Sequence, residues 1–169
     1  MEQKTKSRGY IPFIFIIITL VILGFIARGA ISKMPLDMTP AVTAPVASNS
    51  ATSIVHAPNI DINVLIASTT EEQIQGLSGH APLSTDQGML FVFSTSSIKS
   101  FWMKDMNFSL DIIWIDENKN VLDVASDISP DTYPNIFKSP APARYVLEVS
   151  AGFAEKNKIK KGTALNFDL

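Results

Sequence analysis

The sequence predicts an α+β, mainly β domain: a small antiparallel sheet, barrel-like if it curls, with one or two short helices, behind an N-terminal transmembrane helix. Three observations predict it. Residues 12–27, PFIFIIITLVILGFIA, form an uncharged apolar run. A tract rich in Pro, Ala, Ser and Thr follows. Beyond that tract, strand-like segments outnumber helical ones and short polar turns join them.

The apolar run approaches the roughly 20 residues that a membrane-spanning helix needs. It exceeds the core of a secretory signal, about 7–15 residues. Residues 12–31 therefore read as a transmembrane anchor or uncleaved signal, and residues 1–11 as a basic cytoplasmic N-terminus. Lys4, Lys6 and Arg8 before the run favour that orientation, and Arg28 and Lys33 beyond it weaken the bias. Cleavage near Ala27-Arg28-Gly29 is the alternative and leads to secretion. Both readings place the remainder on the extracytoplasmic side. Residues 32–57, with Pro35, Pro40 and Pro45, read as an extended linker to a domain over 58–169.

Charge divides along the same boundary. Residues 1–58 carry five basic and two acidic side chains, and residues 59–169 carry nine and fourteen. A net-acidic domain without a basic stripe argues against nucleic acid as partner. The expected partners are the membrane, through the N-terminal helix, and an envelope ligand or protein. The absence of cysteine excludes disulfides and thiolate chemistry, so the core alone must hold the domain.

Within the domain, Ile60, Ile62, Val64 and Ile66 alternate with Asp61, Asn63, Leu65 and Ala67 at period two, which predicts a strand. Thr69 and Glu72 have capping-box spacing, which opens a short helix through about Leu77. Met89–Phe93 and Ser100–Met103 read as strands. Leu110–Ile115 and Val121–Ala125 flank a polar turn, Asp116 to Asn120, and predict a hairpin. Arg144–Val149 reads as a strand, Gly152–Asn157 as a short helix and Thr163–Phe167 as a closing strand.

Three segments, QGLSGHAPLSTDQGMLFVF (75–93), FWMKDMNFSLDIIWID (101–116) and PARYVLEVSAGFAEKNKIKKG (142–162), carry a resemblance in their order and spacing. Together they resemble the DUF192 family, small domains often found behind an export signal. The resemblance implies a compact, mainly β fold with one or two short helices and no assigned activity. It also marks three departures: His80 stands where the family has Arg, Ser109 where it has Pro, and Ser150 where it often has Asn.

The candidate ligand-binding residues are Trp102, Lys104, Asp111, Arg144, Glu148 and His80. Asp111 enters an apolar strand, and such a carboxylate needs a partner or a wet pocket rim. Lys104 is the expected ion-pair partner, with a backbone cap as the other structural solution. Alternation places Trp102 and Lys104 on one face, where an indole beside an ammonium can line a groove. Arg144, Val146 and Glu148 share a strand face that alternation assigns to solvent. His80 lies in a Gly- and Pro-containing loop and reads as solvated.

No nucleophile elbow, P-loop, dinucleotide fingerprint or zinc spacing is present, and no cofactor or metal is expected. Asp116 to Asn120 lacks the glycine and terminal Glu of a calcium loop. The residues favour a non-catalytic binding module. The alternatives are an envelope assembly factor and a hydrolase with Asp111 or Glu148 as general base, assisted by His80 or Arg144.

Overall fold

A computed structural model of the protein describes residues 51–169. The anchor expected over 12–31 and the linker from 32 to 50 lie outside the described residues. Among the described residues no helix is long and apolar enough to cross a membrane.

The described residues form eight strands, two short helices and one 3-10 turn in order: β1 (Thr52–Ala57), β2 (Ile60–Ala67), α1 (Thr70–Gln75), β3 (Gln87–Ser97), β4 (Ser100–Phe101), β5 (Leu110–Ile115), β6 (Val121–Ile128), the turn Pro130–Thr132, β7 (Phe137–Lys138), β8 (Ala143–Ser150) and α2 (Phe153–Lys156). Six strands form one sheet in the order β1-β2-β3-β8-β5-β6, and β4 pairs separately with β7. Strand β1 belongs to the stretch expected to be linker, so the folded part begins before Pro58.

The sheet is mixed rather than wholly antiparallel, because β2 and β3 run parallel. Parallel neighbours require a long crossover. The segment between Ala67 and Gln87 supplies it, with α1 at its start. The capping box forms as its spacing predicts: Glu72 N–H donates to Thr69 Oγ1 at 3.2 Å, and Thr69 N–H donates to Glu72 Oε2 at 3.0 Å. The helix stops at Gln75 instead of Leu77 because Gly76 turns to φ +49°.

Two apolar clusters cover opposite faces of the sheet. On one face Leu90, Ile113 and Leu147 pack with Phe153 and Ala154 of α2 and with Leu165 and Phe167. On the other, Phe91, Ile112, Trp114 and Val146 pack beneath Leu77 and Met103. Every residue of β5 is therefore buried, as expected for a strand covered on both sides.

The sheet does not close into a barrel. The C-terminal segment reaches both ends of the strand order through single bridges, His56 to Asn166 and Asn120 to Ala164. Those bridges replace the full closing strand expected over Thr163–Phe167. The turn at 116–120 is an ordinary hairpin connection, in which Asn120 N–H donates to Asp116 Oδ1 at 2.8 Å.

Candidate ligand pocket

Glu148 is the residue whose position departs furthest from expectation. Its strand β8 lies between β3 and β5, with Met89 and Ile112 as register neighbours. The face expected to be solvated lies under the second apolar cluster, so Glu148 is only 5% exposed. Its Oε2 is buried without a hydrogen-bond partner among the described residues. Burial pushes the carboxyl up to about 8. At neutral pH Glu148 is a neutral acid, with one O–H donor and acceptor capacity to offer.

Glu148 lines the base of a pocket of about 400 Å³. Helix α1 and the turn after it form one wall, and Ser97–Trp102 forms the other. Phe91, Phe93, Phe101 and Trp102 make the lining aromatic, and Phe91 meets Phe101 edge-to-face at 4.9 Å. The mouth is apolar as well: Ile74 is 70% exposed, Ile98 51% and Trp102 49%. A volume at the lower end of the ligand-pocket range, mostly apolar with one placed polar group, suits a small molecule.

Lys99 is the other ionisable side chain of the lining. Its ammonium sits 3.8 Å from the Phe93 ring centroid and donates to the Thr95 carbonyl at 3.2 Å. Burial lowers its pKa, and the charge of Arg144 lowers it further. The Arg144 guanidinium donates to the Ser94 carbonyl.

The structure separates the residues grouped from sequence. Trp102 and Glu148 line the pocket. Lys104 lies in a neighbouring depression with Trp102, Ile74 and Asp105, and its nearest carboxylate is Asp105 at 4.0 Å. The expected Lys104–Asp111 ion pair does not form. Asp111 takes the other structural solution and caps backbone amides. It is 0% exposed and accepts from Asp127 N–H at 2.8 Å, Gly152 N–H at 3.1 Å and Ala154 N–H at 2.9 Å. The first bond fills a bulge, where Leu110 pairs with Ile128 but Ile112 pairs with Ala125.

Asp111 and Glu148 occupy opposite sheet faces, so the two carboxyl groups share no pocket. His80 is half-buried and lines two other depressions, one with Pro82 and Leu83 and one with Glu71 and Met89. It does not reach the Glu148 pocket. Among the described residues no three His, Asp or Glu side chains are grouped to hold a metal. The pocket residues that sequence reasoning missed are Ile74, Phe91, Phe93, Ile98, Lys99 and Phe101. Ile98 carried a signal, being a lone large aliphatic residue in a serine-rich stretch.

The fold and the pocket define a small mixed-sheet α+β domain with a ligand-sized cavity over one sheet face. The chain belongs to the DUF192 family, described as an uncharacterized ACR, which it matches over residues 52–167. It is similar in structure to a protein from Sinorhizobium meliloti 1021 put forward as a transcription regulator, at TM-score 0.66 and 26% identity, over 70% of this chain and 95% of that one. It is also similar to a protein of unknown function from Novosphingobium aromaticivorans DSM 12444, at TM-score 0.65 and 25% identity, over 73% and 89% respectively. No curated protein matches the chain.

Proposed function

We propose that the domain is a non-catalytic binding module that takes a small, mostly apolar molecule in the Glu148 pocket. The observation that carries this reading is an aromatic cavity of about 400 Å³ with one buried carboxyl, that of Glu148, in its lining. A concave, mostly apolar lining with a few placed polar groups is the usual form of a small-molecule site. The apolar run at 12–27 supports a further part of the reading, a module tethered at the extracytoplasmic face of a membrane.

The test is calorimetric titration of the full chain with 4-phenylbutanol, a neutral probe with an aromatic body and one hydroxyl. Saturable binding that is lost in Ser97→Phe, which fills the pocket from its wall, is the expected result. Absence of saturable binding, or binding unaffected by Ser97→Phe, overturns the reading. An assembly role would engage the exposed rim of Ile74, Ile98 and Trp102 without filling the cavity, so uptake of the small probe also decides between the two. Resistance of the full chain to alkaline extraction from membranes tests the tether, and quantitative release into the supernatant overturns it.

A further inference from the structure

We infer that the pocket selects an amphiphile with a single carboxylate, its apolar body against Phe91 and Phe101 and its carboxylate at the wall beside Lys99. The inference rests on the binding reading above and names the ligand class for that site.

Charge complementarity carries it. Lys99 and Glu148 are the two ionisable side chains lining the pocket. With Glu148 neutral at physiological pH, the lining carries one positive charge and no ionised carboxylate to balance it. Lys99 is half-buried, and a partly desolvated cation without a counter-ion is unfavourable. One donor of its ammonium goes to the Thr95 carbonyl, and two of the three remain for a ligand.

The surroundings reinforce the sign. Arg144 lies close enough to lower the Lys99 pKa, and Lys138 is the register partner of Ser100, itself a lining residue. A cationic head group would meet this positive wall, and a neutral one would leave it uncompensated. A carboxylate bonded to the ammonium makes a charge-assisted hydrogen bond, roughly twice as strong as a neutral one.

The test compares 4-phenylbutyrate, 4-phenylbutanol and 4-phenylbutylamine, which share one body and carry anionic, neutral and cationic heads, by calorimetry on the full chain at pH 6.5. The carboxylate is expected to bind at least tenfold tighter than the alcohol, and the amine weaker than the alcohol. In Lys99→Gln the ratio of carboxylate to alcohol affinity is expected to fall close to one, and Lys99→Arg restores the preference. Alcohol binding without a carboxylate preference, or a preference that survives Lys99→Gln, overturns the inference and leaves the binding reading standing. No saturable binding of any of the three overturns both.

Discussion

The carboxylate of Asp111 accepts the backbone N–H of Ala154 at 2.9 Å, tying strand β5 to the first turn of α2 across 43 positions of chain. The same side chain holds Gly152 and the bulged Asp127, so one residue organises three backbone segments. A residue that looked like a site by its chemistry is a structural staple by its geometry.

Asp111→Asn should therefore destabilise the protein by on the order of 3 kcal/mol. The amide retains one acceptor oxygen, turns an N–H₂ towards buried donors, and leaves at least one of the three amides unpaired. Urea denaturation measures the loss. A change below about 1 kcal/mol would remove Asp111 from this role.

Glu148 predicts a pH dependence of stability. Its folded value is about 8 against an ordinary 4.5, so the folded state keeps a proton that the unfolded chain releases. Stability contributed by this group is fully present below about pH 4.5, falls as pH rises, and is lost above about pH 8. The full span is on the order of 4–5 kcal/mol by linkage. Glu148→Gln does not titrate, so its stability relative to wild type should rise steadily between pH 5 and 8. Denaturation curves at pH 5, 6.5, 8 and 9 check this, and a constant difference contradicts it.

Gly88 lies in β3 opposite Val149 of β8. A Cβ there would stand 2.8 Å from the Glu148 carbonyl oxygen and 3.1 Å from Val149 Cγ1. Gly88→Ala must push two central strands apart, at a cost of about 1–3 kcal/mol typical of overpacking. A melting temperature equal to wild type would show that the strands yield freely.

Trp102 and Ile74 stand half or more exposed at the pocket mouth, so removing them exposes little core. Trp102→Ala and Ile74→Ser should each leave stability within about 0.5 kcal/mol. Each should weaken 4-phenylbutanol at least fivefold, about 1 kcal/mol of lost contact. Calorimetry with a parallel melting curve separates the two effects, and unchanged affinity in both variants places the ligand elsewhere.

Local patterns were legible where one segment decides its own conformation. Thr69 and Glu72 announce their capping box by spacing alone, and Ile62, Val64 and Ile66 announce a strand by period two. The parity of β5 was legible too: Ile113 and Ile115 pack in one cluster and Ile112 and Trp114 in the other. The covering of both faces was not. Alternation states which side chains share a face and says nothing about what lies over that face, so Glu148 looked solvated although, of the two, only Arg144, at the start of β8, keeps partial exposure. The parallel pairing of β2 with β3 was equally hidden, because it depends on where the chain after α1 returns.

By itself, then, the sequence determined most of the element types between Ile60 and Lys156, the family, the absence of cysteine chemistry and the shared faces of β5. Only the tertiary structure decided that Asp111 is sealed beneath α2 while Glu148 faces an aromatic pocket. The physical reason is that a carboxylate's role depends on what desolvates it and which donors reach it. For Asp111 those donors come from Asp127, Gly152 and Ala154. For Glu148 the enclosing groups come from β3, α1 and the Ser97–Trp102 segment, and no pattern local to β8 encodes them.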